Sequence, residues 1–149
     1  MNKIIILSVK NKVAVIEKDV NEKGLRKILN YGHTLGHTIE KISNYKIPHG
    51  EAISIGMKVV NIMASQKGLL SPANTVRINN LIDLYEIIEP KNVSTIHPRN
   101  SSNLWSIMKG DKKGKNGTIQ FVIPSKIGEH QLIDSFTQKD FKQALQAYA

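Results

Sequence analysis

Three of the five histidines, His33, His37 and His49, stand close together in a chain of 149 residues. From Arg26, steps of four, three, four and three reach Asn30, His33, His37 and Glu40. On an α-helix such steps return to one face. A helix over residues 25–44 would therefore carry a stripe of guanidinium, amide, two imidazoles and a carboxylate. Leu25, Ile28, Leu29, Leu35, Ile39 and Ile42 would cover much of the remaining surface and supply core contacts. A polar stripe on an otherwise apolar helix points to a cavity rather than a solvated face. His33, His37 and His49 are candidate ligands for a borderline cation such as Zn2+, which accepts imidazole and carboxylate.

Other uses of these residues can be weighed from the same spacing. The zinc-protease helix needs a glutamate directly after its first histidine, and Thr34 stands there, so that chemistry is excluded. The structural alternative is a buried polar network in which the histidines pair with Glu40 and Asn30. His97 and His130 fall in loop and strand contexts without partners and read as structural or surface residues. Gly32 and Gly36, one turn apart, each cost a helix roughly 1 kcal/mol against alanine. Close approach of a backbone or a ligand is the expected compensation.

The elements that would position this stripe follow from patterning. Val9, Val13, Ile16 and Val20 repeat at helical spacing, favouring a helix before Gly24 although residues 4–7 are β-branched-rich. After a short linker ending in Pro48, a helix over 51–67 is apolar on most sides and should be buried, with Gly56 allowing a close contact and Gly68 its C-cap. Ser71-Pro72 predicts a helix start and a run to about Tyr85, with Val76, Leu81, Ile82 and Leu84 facing the core. Residues 89–100 read as a loop, and Ser101 or Ser102 caps a short helix closed by Gly110. A basic, glycine-punctuated loop follows over 111–117. Strands over 118–123 and 130–136 form a hairpin, and Thr137 caps a last helix. The fold class is mainly α, one multi-helix domain over 1–149 with a small β-hairpin near 118–136.

Composition limits the function classes. Without cysteine, disulfides and thiolate metal sites are excluded, and a reducing cytoplasm fits. The apolar run Ile4–Leu7 is far too short to span a membrane. A net charge of +9 attracts polyanions or phosphorylated small molecules. Aromatics are 5% and the lysines are scattered, so no nucleic-acid partner is expected; a basic helical binding module is the alternative of another class.

The ordered pattern Arg26-x-x-x-Asn30-x-Gly32-His33-x-x-Gly36-His37-x-x-Glu40, then His49-Gly50-Glu51-Ala52 and Gly56-Met57, resembles the 3-dehydroquinate synthase family. The similarity extends through Lys12, Asp19, Glu22 and Gly24 upstream. Downstream it takes in Asp111-Lys112-Lys113, Phe121-Val122-Ile123-Pro124 and Ile127-Gly128. It covers nearly the whole chain but corresponds to the family's C-terminal helical half. The NAD-binding half, with its glycine-rich phosphate loops, has no counterpart here. Tyr31 stands where the family usually has Phe, and Thr38 where it often has Ala.

The resemblance implies a lyase of the shikimate pathway, in aromatic amino-acid biosynthesis. The family converts 3-deoxy-D-arabino-heptulosonate 7-phosphate to 3-dehydroquinate and phosphate. It oxidises one hydroxyl with NAD, eliminates phosphate, re-reduces the ketone and closes the ring. The family's metal, Zn2+ or another divalent ion such as Co2+, would be held by His33 and His49 plus a glutamate of the missing half. His37, Arg26 and Asn30 would be catalytic, and Lys12, Arg26, Asn30, His37 and Lys112 or Lys113 would bind substrate. NAD would be bound mainly by the missing half, and the full enzyme would be a homodimer. A metal with two protein ligands is poorly held, so the chain alone is expected to bind zinc weakly and to be inactive. A related sugar-phosphate cyclase acting on another sugar phosphate is the nearest alternative.

Overall fold

The computed structural model describes residues 2–85, 96–111 and 118–148. The chain divides into two compact units, residues 1–30 and 31–149. In the first, α1 (Asn2–Lys18) is the helix that the Val9, Val13 and Ile16 spacing predicts. A 3-10 helix over Leu25–Asn30 ends the unit. Between them the Asp19 carboxylate accepts hydrogen bonds from the backbone N–H of Lys23, Gly24 and Arg26 at 2.9, 2.7 and 3.0 Å. These bonds, Arg26's the foremost, hold its carboxyl below the usual carboxylate range.

The single helix expected over residues 25–44 is not formed. Residues 25–30 wind as a 3-10 helix with none of them buried, and α2 begins afresh at His33 (His33–Ile42). The cause is Gly32, whose φ of +78° is left-handed geometry that an α-helix cannot contain. Gly32 then starts the new helix, its carbonyl accepting from Gly36 N–H at 2.9 Å. The polar stripe is thus interrupted: His33, His37 and Glu40 share α2, whereas Arg26 and Asn30 do not. Leu25, Ile28 and Leu29 are not core residues.

The second unit is built around α3 (His49–Gln66), which α2, α6 (Gln138–Tyr148) and α4 (Pro72–Leu84) flank. Ala52, Ile55, Val59, Val60, Met63 and Ala64 bury along α3, as its nearly all-round apolar pattern requires. The α2–α3 contact is backbone on backbone. A Cβ on Gly32 would lie 2.6 Å from the Ile53 carbonyl oxygen and 2.9 Å from Met57 N, and one on Gly56 would overlap the Gly32 carbonyl. Gly36 likewise faces Ile53 and Ala52. The glycines therefore serve close helix packing.

Tyr31 and Asn61 fasten the same two helices. The Tyr31 hydroxyl donates to Asn61 Oδ1, and Asn61 Nδ2 donates to Asn79 Oδ1 at 2.9 Å. Burial pushes the Tyr31 hydroxyl well above its ordinary pKa, keeping it a neutral donor. Asn61 has no exposed surface, so Tyr31→Phe would leave a buried acceptor unpaired. The expected loss is about 1–3 kcal/mol, read as a lower urea midpoint at unchanged slope.

Ser71 caps α4 as expected, its side chain accepting from Asn74 N at 3.2 Å. Its apolar side is not the core face, however: Val76, Leu81 and Leu84 are 57%, 55% and 74% exposed, and Thr75 and Ile78 turn inward instead. Helix α5 (Ser101–Asp111) runs one residue past Gly110, where closure was expected. Strand β1 (Phe121–Lys126) pairs antiparallel with β2 (Glu129–Ile133), Phe121 opposite Ile133. The hairpin lies three residues later than predicted at its first strand. Trp105, Phe121, Phe136 and Phe141 form one ring cluster that joins it to α5 and α6.

At the start of α6, Asp140 Oδ2 accepts from Thr137 N and Oγ1 at 2.8 and 2.7 Å, and Thr137 Oγ1 accepts from Asp140 N at 3.3 Å. This reciprocal cap is joined by Lys67 Nζ, 2.9 Å from Asp140 Oδ1. Burial by itself would raise the Asp140 carboxyl, but Lys67 and Thr137 outweigh it and hold it below the usual range. A folded-state value below the unfolded one gives stability that is complete above about pH 4 and lost as pH falls through the folded value. Asp140→Asn is expected to flatten that acid limb in thermal melts between about pH 5 and 2.

Candidate functional site

Helix α2 and the first residue of α3 bring three imidazoles together. The ring centroids lie 5.3 Å apart for His33 and His37, 5.4 Å for His33 and His49, and 6.0 Å for His37 and His49. His33 and His37 meet because they are one turn apart on α2. His49 is returned to them by the turn after α2, where Asn44 and Tyr45 adopt φ of +51° and +58°. Pro48, extended at ψ 144°, then delivers His49 into α3.

The individual rings differ. His33 is half-buried, and its Nδ1 lies 3.0 Å from the Tyr31 carbonyl oxygen. A carbonyl can only accept, so Nδ1 carries the proton and Nε2 presents its lone pair. Burial pushes His33 below the usual imidazole range, with His37 and His49 adding to the effect and the Tyr31 carbonyl opposing it. The neutral ring is the form a metal requires. His37 and His49 are exposed. Glu40, partly buried, places Oε1 3.0 Å from His49 Nδ1.

This donor set fits a divalent cation. One ligand atom each of His37, Glu40 and His49 lies within 4.8 Å of the others, and His33 adds a fourth nearby donor. Imidazole nitrogen with carboxylate oxygen suits zinc or cobalt better than magnesium or calcium.

The buried-network alternative is corrected in two respects. Two of the three histidines are exposed, and within residues 1–30 Asn30 Nδ2 donates to Glu22 Oε1 at 2.6 Å. Within residues 1–30, Arg26 is held by its own loop, Nη1 donating to the Val20 carbonyl at 2.8 Å. Glu22 adopts a φ of +53°, a strained conformation for a non-glycine residue. Lys12 is exposed on α1. Lys112 and Lys113 lie outside the described residues. The expected pairing of a histidine with Glu40 is present, at His49; helical spacing alone would have linked Glu40 to His37.

A family model described as 3-dehydroquinate synthase C-terminal matches residues 1–114. The 3-dehydroquinate synthase of Prochlorococcus marinus subsp. pastoris is 38% identical over 140 residues, covering 93% of this chain and 37% of the relative. That of Prochlorococcus marinus strain NATL1A is 40% identical over 144 residues, covering 96% and 38%. The chain thus spans less than two-fifths of the curated relatives it matches. Among solved structures, 2-epi-5-epi-valiolone synthase from Streptomyces hygroscopicus subsp. jinggangensis, with NAD+ and Zn2+ bound, aligns at a TM-score of 0.77 and 22% identity, covering 97% of this chain and 39% of that one. A 2-deoxy-scyllo-inosose synthase complexed with carbaglucose-6-phosphate, NAD+ and Co2+ aligns at 0.74 and 21%, covering 96% and 39%. These two likenesses establish a shared fold. Among the described residues no helix is long and apolar enough to cross a membrane. With the matched residues taking in both the histidine cluster and the Arg26–Asn30 segment, the chain belongs to the 3-dehydroquinate synthase C-terminal family.

Proposed function

We propose that this chain is the metal- and substrate-binding part of a cytoplasmic 3-dehydroquinate synthase of the shikimate pathway. It would work with an NAD-binding portion, on 3-deoxy-D-arabino-heptulosonate 7-phosphate, as the C-terminal part of each subunit of a homodimer. The observation that carries the reading is the convergence of His33, His37 and His49 on the α2–α3 junction within a chain of this family. His33 and His49 would hold the cation, which supplies Lewis acidity towards a substrate oxygen when bound. NAD, held by the NAD-binding portion, would provide an acceptor for one hydride and its later return. His37, an exposed imidazole beside the two ligands, would hold or release a proton at its free ring nitrogen. Arg26 offers a planar fork suited to the substrate carboxylate, and Asn30 an amide for its hydroxyls. Lys12 and one of Lys112 and Lys113 would neutralise the phosphate.

The role given to Arg26 makes substrate selection the test. With the NAD-binding portion supplied, phosphate should be released from the seven-carbon keto-acid phosphate and not from glucose 6-phosphate, which has no carboxylate. Arg26→Ala should raise KM for the former by about 10-fold or more, the loss of one charge-assisted bond. Turnover of the carboxylate-free sugar phosphate instead would assign the chain to a sibling cyclase.

A further inference from the structure

We propose that Glu40 is a positioning residue of the metal centre: its carboxylate fixes the tautomer and orientation of His49, so that Nε2 is the atom facing the cation. The proposal rests on the reading of His33 and His49 as ligands and adds a residue to it. His49 is exposed, its side chain 58% accessible, so little packing holds its ring. Glu40 is the opposite, 13% accessible and set at the end of α2. There its backbone carbonyl accepts from Ser43 Oγ at 2.9 Å and Tyr45 N at 2.7 Å. A largely buried carboxylate oxygen 3.0 Å from Nδ1 of an exposed ring accepts a hydrogen bond from Nδ1–H and leaves the lone pair on Nε2.

His33 is fastened in the same way. Its Nδ1 lies 3.0 Å from the Tyr31 carbonyl oxygen, so both rings engage an oxygen acceptor through Nδ1 and both present Nε2. Such outer partners set the ring orientation and raise ligand basicity. The competing role is Glu40 as a ligand itself, since its oxygen belongs to the group of donors within 4.8 Å. The pairing of Nδ1 with a carboxylate, matched at His33 by a carbonyl that is no metal ligand in the family reading, favours positioning.

Long-range 1H–15N NMR on the chain without metal, at about pH 8 where ordinary imidazoles are neutral, reads the tautomers directly. His49 should be Nδ1–H in the wild type and move toward the Nε2–H form in Glu40→Ala, with His33 unchanged. Zinc affinity by chelator competition should fall about 10- to 100-fold in Glu40→Ala. Glu40→Gln, which keeps an acceptor oxygen and removes the charge, should restore most of it. A wild-type His49 that is already Nε2–H, or a tautomer indifferent to Glu40→Ala, overturns the proposal. Equal damage from Gln and Ala makes Glu40 a ligand and also overturns it. Failure of the underlying reading looks different: His49→Ala would then bind zinc like the wild type, whatever the tautomers show.

Discussion

Gly56→Ala is expected to destabilise the protein by about 3 kcal/mol or more, at the top of the usual range for overpacking. The new methyl group would overlap the Gly32 carbonyl oxygen and press on the Gly32 carbonyl carbon and Gly36 N, at 3.0 and 3.1 Å. These are backbone atoms, so no side-chain rotation relieves the contact and α2 must move away from α3. Gly110→Ala is the matched control. It too replaces a helical glycine, but among the described residues nothing lies within 4 Å of its added Cβ. It should be neutral or stabilising by up to about 1 kcal/mol, from propensity and the unfolded chain. Urea midpoints for the two variants decide the matter. Similar midpoints would mean that the helices are not packed through their glycines.

Loss of a ligand imidazole is the largest expected effect on chemistry. In the presence of the NAD-binding portion, His49→Ala or His33→Ala should lower phosphate release by at least about 100-fold, since even outer-sphere partners of a metal cost 10- to 100-fold. The Gly56 prediction bears on this one. His49 stands at the start of α3 and His33 at the start of α2, so separation of the two helices would also separate the two proposed ligands. His97 provides the control: its Nδ1 caps a 3-10 turn by accepting from Arg99 N at 3.2 Å, remote in role from the cluster. His97→Ala should leave turnover within a few-fold. A His49→Ala variant as active as the His97 control would remove the cation from the account.

Much of the fold was legible because it follows from local rules. Val9, Val13 and Ile16 mark α1, the all-round apolar pattern of α3 marks a buried helix, and Ser71-Pro72 and Thr137 mark helix starts that the side-chain caps confirm. What was not legible depends on contacts distant in sequence. Gly32 looks like any glycine in a helical pattern until its carbonyl is seen against Gly56, and that contact is what favours a break there over a continuous helix. Period alone could not orient α4, because Thr75 is as compatible with burial as Val76 and the packing of α3 decides between them. At the site, His33 and His37 were placed by helical spacing. Their meeting with His49 was implied by resemblance and arises from a turn with two positive-φ residues that composition does not announce. Glu40 was expected to pair with a histidine, and that same turn is what makes the partner His49.

On the proposed function, the chain carries part of a site that an NAD-binding portion completes. Phosphate release from 3-deoxy-D-arabino-heptulosonate 7-phosphate tests it most directly. The assay uses NAD and zinc, with this chain alone and after mixing with a separately expressed NAD-binding portion of a relative. The account predicts no turnover by the chain alone, turnover in the mixture, and loss of that turnover in His49→Ala. Turnover by the chain alone, or a mixture indifferent to His49→Ala, would contradict it.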